Sequence, residues 1–302
     1  MITVSLFGGL GNQMFQYAAA KALADHHGVG LGFDLGGFRA HPDRAFLLSR
    51  LCVPESETAQ AAALTNSRSY FFRSRRRERV SRLMAYLGLP ALRSSSDNYR
   101  EPHFHFDETF AGLGSDANLF GYFQSERYFG AIESQLRNYF VPRDPLGAAA
   151  QATADSIARS DLPVSLHIRR GDYMQPGTAA VHGLLGEAYY RRGLALLENR
   201  LGRAPDLFVF SDDRNAAAQV LKFVPLARLT YVDGDPDKPW EDMTLIATCR
   251  HHVIANSSFS WWGAWLNPSS DKIVIAPRAW FTPKGLLTRN TKDLYPSAWM
   301  LV

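Results

Sequence analysis

An apolar run, Val164–Leu166, opens directly into His167, Arg169, Arg170 and Asp172, with Gly171 between the last two. Two adjacent guanidiniums at the mouth of a buried strand repel each other and call for an anion. Each presents a planar fork that matches phosphate oxygens two at a time, so a phosphate or pyrophosphate fits them. The plainer alternative is a surface arginine pair bridged to Asp172. The strand context favours the ligand, because α/β proteins bind ligands where buried parallel strands end.

Other polar clusters follow apolar runs in the same way. Ser211, Asp212 and Asp213 follow Leu207–Phe210, and Asn256, Ser257 and Ser258 follow Val253–Ala255, leading into Phe259 and the Trp-rich stretch to Leu266. A serine there is an ordinary helix cap. Two serines and an asparagine together also turn hydroxyls and backbone amides toward an anion at a positive helix end. Near the start, Gly8, Gly9 and Gly11 precede Asn12. The third glycine of a dinucleotide fingerprint is missing and no Gly-Lys-Ser/Thr occurs, which argues against a classical NAD or ATP site. A loop whose backbone can approach a ligand remains, with Asn12 offering an amide. Asp233-Gly-Asp235 mimics a metal-binding pair of carboxylates but is equally a good turn. The Trp261, Trp262 and Trp265 cluster suits core packing better than a sugar platform.

The positioning elements are short. Predicted strands are Ile2–Leu6, Gly30–Asp34, Val164–Ile168, Leu207–Phe210, Leu229–Val232, Val253–Ala255 and Ile273–Ala276. Predicted helices start at Asn12 and cover Glu187–Leu201 and Arg214–Phe223, with residues 54–98 mostly helical. Strands alternating with helices predict parallel, Rossmann-like sheets. The Ala- and Ser-rich stretch 147–163 sets an expected boundary between domains 1–150 and 151–302. At 302 residues, 46% hydrophobic and net charge +4, the chain has room for two domains and too little charge to imply nucleic acid. Arg68, Arg73, Arg75, Arg76, Arg77, Arg79 and Arg82 crowd one segment behind Tyr70, Phe71 and Phe72. That is a solvated helix face or a contact for anionic lipid. Two cysteines, Cys52 and Cys249, make no disulfide framework, and no signal-peptide pattern or run of about 20 apolar residues is present. The expected location is cytoplasmic, open to peripheral attachment at the membrane.

Four segments, Gly8–Ala18 (GGLGNQMFQYA), His167–Tyr173 (HIRRGDY), Phe208–Asp213 (FVFSDD) and Ile254–Leu266 (IANSSFSWWGAWL), resemble the α-1,2-fucosyltransferases and occur in that family's order. They span both halves of the chain, while residues 54–160 carry no matching motif. The resemblance implies a GT-B fold, two Rossmann-like domains facing across a cleft, with the sugar nucleotide on the C-terminal one. It implies inverting transfer of L-fucose from GDP-β-L-fucose to the 2-hydroxyl of a galactoside or lipid-linked glycan, with no cofactor or metal. Arg169 then stabilises the departing diphosphate, with Asn12 and Asp172 as further catalytic candidates. Gly11, His167, Arg170, Asp213, Asn256, Ser257, Ser258 and Phe259 surround the donor. Asp242 accepts from the guanine N1 and N2 hydrogens. Arg170 and Asp172 are alternatively a supporting ion pair, and Asp34 is a second candidate base. Two rival readings are a non-catalytic sugar-nucleotide or glycan-binding module and a metal-dependent transferase using Asp233 and Asp235.

Overall fold

Short, mostly apolar strands form two all-parallel sheets in a computed structural model that describes residues 1–41, 43–59, 98–174 and 176–302. The chain divides into two units. One comprises Met1–Val141 with Lys292–Leu294, the other Pro142–Thr291 with Tyr295–Val302. These are the two Rossmann-like α/β domains of the expected GT-B class.

In the first unit β1 (Ile2–Ser5), β2 (Leu31–Asp34), β3 (Asn98–Arg100) and β4 (Asn118–Phe120) lie in the order β2-β1-β4-β3. The helix Leu10–His27 connects β1 to β2 and starts two residues before the predicted Asn12. It ends where Gly28 adopts φ 62, the left-handed conformation that favours glycine at a helix C-terminus. Its inward residues Met14, Phe15, Tyr17 and Ala18 are fully buried.

In the second unit β5 (Pro163–Ile168), β6 (Asp206–Ser211), β7 (Leu229–Tyr231), β8 (His251–Val253), β9 (Val274–Ala276) and β10 (Met300–Leu301) lie in the order β10-β9-β8-β5-β6-β7. Leu207 and Val209 face one core with Tyr190, Leu194 and Leu197 of the helix Glu187–Leu201. Phe208 and Phe210 face the other, with Leu245 and Ile246 of the helix Pro239–Thr248. Both faces are covered, so these strands show no polar alternation.

The division after Val141 falls ahead of the expected boundary at 150. Within the Ala-rich stretch, Ala148–Arg159 is a helix whose Ala150 and Ile157 pack beside Phe208. The Gly147 N–H just before it donates to Glu241 Oε1 at 2.9 Å. Chain order reverses between β5 and β8. From β5 the chain proceeds outward to β6 and β7, then returns to β8 on the other side. The carboxyl ends of β5 and β8 therefore flank the kind of crevice where open α/β sheets bind ligands.

Candidate active site

Arg169 leaves the end of β5 beside the end of β6. The register pairs Ile168 with Ser211, so the residues that follow each strand meet. Asp212 uses both carboxylate oxygens there. Oδ2 pairs with Arg169 Nη1 at 2.7 Å, and Oδ1 accepts from the Arg170 backbone N–H at 2.7 Å. Gly171 leaves the necessary room, since a Cβ there would lie 2.5 Å from Asp212 Oδ2. A partly exposed ion pair contributes little stability. Its effect is to fix the direction of the Arg169 fork, whose Cζ also lies 5.8 Å from the Tyr173 ring centroid.

His167 is buried beside this pair. Burial first, then the Arg169 charge, pushes its imidazole down to about 3, so the ring is neutral. Its carbonyl accepts from Tyr190 Oη at 3.0 Å, while Nδ1 is buried with no hydrogen-bond partner. An unsatisfied buried polar atom costs about 1–3 kcal/mol, and a hydrogen-bonding ligand would recover that cost.

Across the reversal point, Ser257 caps the helix Ser258–Leu266, its Oγ accepting from the Phe259 N–H at 3.4 Å. Ser258 and Phe259 are half-buried, with the Phe259 ring 5.7 Å from that of His167. The aromatics behind them, Trp261, Trp262 and Trp265, are core. Asn256 is turned inward: its Nδ2 donates to the carbonyls of His182 at 2.9 Å and Trp280 at 3.2 Å, holding the end of the helix Pro176–His182 to the segment around Trp280. Arg170 is likewise buried and donates to the Leu185 carbonyl at 2.9 Å. Asp213 is exposed and caps the helix Arg214–Val220 by accepting from the Ala216 N–H at 2.9 Å.

Asp242 lies half-buried in the first turn of Pro239–Thr248, on the segment that follows β7. Burial, with the charges of Glu241 and Asp235, pushes its carboxyl up to about 6. Among the described residues no hydrogen bond reaches that carboxylate. Gly234 stands directly against it, where any side chain would collide. Of the two acids flanking Gly234, Asp233 pairs with Arg214 at 2.6 Å and Asp235 accepts from the Asp237 N–H at 2.9 Å, the bonding of an exposed turn.

The glycine loop of the first unit has its own geometry. Gly8 adopts φ 80, and a Cβ there would lie 2.7 Å from Asn12 Nδ2. Gly11 is buried in the first helical turn, and Asn12 Oδ1 accepts from Gln124 Nε2 at 2.9 Å. Asp34 is fully buried with both oxygens engaged, by Ser5 Oγ at 3.0 Å and the Gly36 N–H at 2.9 Å, which is a structural arrangement and not that of an accessible base. The Asp172 side chain and the Arg68–Arg82 segment lie outside the described residues.

Residues 90–302 match the family described as Glycosyl transferase family 11. The chain belongs to that family. It is 31% identical to an α-1,2-colitosyltransferase of Escherichia coli, covering 100% of this chain and 99% of that protein. It is 28% identical to galactoside α-(1,2)-fucosyltransferase 1 of Plecturocebus brunneus, covering 89% of this chain and 66% of that protein. Among solved structures, Arabidopsis thaliana FUT1, in a mutant form complexed with GDP, aligns with a TM-score of 0.50 at 12% identity, over 98% of this chain and 74% of that one.

In the second unit of this glycosyltransferase, several polar groups gather at one end of the sheet. A braced guanidinium, a helix N-terminus and a neutral imidazole lacking one partner line the sheet edge. Fixed donors of this kind stabilise charge as it develops without reorganising. In sequence Asp212 is marked only as part of the Ser211–Asp213 cluster, with no role of its own, whereas here it braces Arg169. Its signal was the pairing of two apolar runs with charged residues just beyond each, with Gly171 marking the close approach. No helix among the described residues is long and apolar enough to cross a membrane.

Proposed function

We propose that this family 11 glycosyltransferase moves L-fucose from GDP-β-L-fucose to the 2-hydroxyl of a galactose residue in a glycan, with inversion and without a metal. The observation that carries the reading is the Arg169 fork held by Asp212 beside the unpartnered His167 Nδ1, at the point where strand order reverses. A diphosphate bound there presents oxygens to both. Asp242 supports guanine as the base, since its carboxylate can accept two N–H donors that adenine does not offer together.

The colitosyltransferase relative favours a second reading, in which the transferred sugar is colitose. Colitose is L-fucose without its 3-hydroxyl, so one donor-site geometry can serve both sugars. Incubation with lactose and either GDP-fucose or GDP-colitose tests the two. Formation of GDP and a fucosylated trisaccharide supports the first reading; turnover only with GDP-colitose replaces it with the second. Nucleotide binding with neither product leaves a binding module, and activity lost in EDTA and restored by manganese transfers the chemistry to a metal.

A further inference from the structure

The segment that leaves the carboxyl end of β9 treats its apolar residues in two opposite ways. Trp280 and Phe281 are buried, whereas Leu286 is 42% and Leu287 84% exposed. Between the two pairs the chain is pinned. Thr282 donates its N–H to the Val181 carbonyl at 2.9 Å and its Oγ1 to the Ala180 carbonyl at 2.8 Å. The same Oγ1 accepts from the Gly285 N–H at 3.1 Å, capping the short helix Pro283–Leu286. Gly285 marks the inward face, because a Cβ there would lie 2.6 Å from the Val181 carbonyl oxygen. With that face committed, the two leucines that follow are left on the outside of a held turn. Leu184, also 42% exposed, emerges beside it: the preceding Gly183 is so close that a Cβ there would lie 3.1 Å from Thr282 Cγ2.

The charge around these leucines has one sign. From Pro277 to Thr291 the charged residues are Arg278, Lys284 and Arg289, all basic. Arg278 and Lys284 are exposed, and Arg289 is half-buried with its Cζ 5.2 Å from the Phe281 ring centroid. Glu187, the acid closest in sequence to Leu184, is paired with Arg191 at 2.6 Å. A lone exposed leucine needs no explanation, but neighbouring ones among cations on a held support mark an interaction surface. A second copy of the chain is a poor cover, since a two-fold contact through this patch would set one basic surface against another. An anionic lipid surface suits both the leucines and the cations.

We propose that Leu184, Leu286 and Leu287, with Lys284 and Arg289, dock the second unit on an anionic lipid bilayer. The leucines enter the boundary between headgroups and acyl chains, while the two cations keep their stems along the apolar layer and their heads among the phosphates. The segment shares a sheet edge with Arg169. It follows the carboxyl end of β9, as Arg169 follows that of β5, and Asn256 joins its Trp280 carbonyl to that of His182. Docking therefore brings that edge of the sheet to the membrane, within reach of a glycan carried on a lipid.

The experiment is vesicle cosedimentation at physiological salt, with phosphatidylcholine alone or mixed with phosphatidylglycerol. The wild type should partition onto the mixed vesicles about tenfold more strongly than onto the neutral ones. Leu286→Ser/Leu287→Ser and Lys284→Gln/Arg289→Gln should each weaken that partition about tenfold, with the thermal midpoint showing the fold intact. Leu287→Trp reports the contact directly, because Trp261, Trp262, Trp265, Trp280 and Trp299 are buried. Acyl chains carrying bromine should quench its emission more than that of the wild type. A wild type that ignores both kinds of vesicle overturns the docking. So does a leucine variant that partitions like the wild type, which would place the contact elsewhere, or a Leu287→Trp protein that bromine leaves unquenched. A wild-type dimer lost in the leucine variant, with no vesicle binding, gives the patch to a second copy instead. No readout here requires sugar transfer, so a protein that docks through these leucines yet moves no fucose keeps the docking and loses only the reading proposed above.

Discussion

Asp242 makes a demand that pH can expose. Its carboxyl is pushed up to about 6 from an ordinary 3.8 by burial and by neighbouring negative charge. Guanine offers two N–H donors to the ionised form, so GDP binding should require that form. With a value near 6, the ionised fraction falls from ~97% at pH 7.5 to ~9% at pH 5. GDP affinity should then weaken about tenfold over that range, ~1.4 kcal/mol. GDP's own phosphate titrates nearby, so the control is Asp242→Asn, which shares that titration and lacks the carboxylate. The substitution should weaken GDP binding at pH 7.5 by ~2 kcal/mol, because one acceptor is exchanged for a donor facing the guanine amine. Calorimetric titration across pH gives both quantities. Stability should move the opposite way. The raised value means that ionisation costs the folded state free energy, a cost absent below about 3.8, growing from there to about 6 and full above. Asp242→Asn should therefore stabilise the unliganded protein at pH 7.5 by on the order of 2 kcal/mol, seen as a higher thermal midpoint, and leave it unchanged below about pH 3.8. Parallel pH profiles for GDP binding in the wild type and Asp242→Asn would refute the assignment.

Arg169→Lys should lower turnover by two to three orders of magnitude, ~3–4 kcal/mol, with the thermal midpoint kept; near-normal turnover would dismiss the diphosphate role. Asp212→Asn should lower kcat in the same direction, by about tenfold, since it loosens the guanidinium without removing it. Arg170→Lys and Asn256→Ala should chiefly destabilise, by about 1–3 kcal/mol each, because their buried donors hold backbone carbonyls; chemical denaturation measures this. Asp213→Ala should cost about 1 kcal/mol of stability as a lost helix cap, with the donor KM unmoved. In competition assays GDP should inhibit far better than ADP or UDP, and equal inhibition by all three would remove Asp242 from base recognition.

Local apolar runs made much of the second unit legible. Glu187–Leu201 forms as expected, and β5, β6, β7 and β9 lie within a residue of their predicted bounds at each end. β8 is His251–Val253 in place of Val253–Ala255, because two histidines in a strand core read as polar. Their satisfaction is remote: His252 Nδ1 meets Ser165 Oγ at 2.8 Å and its Nε2 meets Asn267 at 2.9 Å. β3 and β4 were not legible at three residues each, Asn98–Arg100 carrying both an amide and a charge. In the site, the types and spacing of His167 and Arg169 pointed to an anion at a strand end, and the structure places both at the carboxyl end of β5. The partners of Asn256 at His182, and of Arg169 at Asp212, lie dozens of residues away and exist only once the strand register is set. Asp213 and Asp212 are adjacent acids in sequence, and nothing local says which one caps a helix and which one grips an arginine.

The assignment of Lys292–Leu294 to the first unit, with Tyr295–Val302 returning to the second, bears on how the protein is made. On the ribosome the first unit cannot complete its contacts when residue 141 emerges. Asp293, which pairs with Arg127 at 3.2 Å, is synthesised only after nearly all of the second unit. The second sheet likewise waits for β10, whose Met300 pairs with Ile275 of β9. A vectorial, one-domain-then-the-next order of folding is thus closed to this chain in its final steps, and cutting it at residue 141 would leave the first unit without its Lys292–Leu294 segment, while every residue of the second stays in one piece.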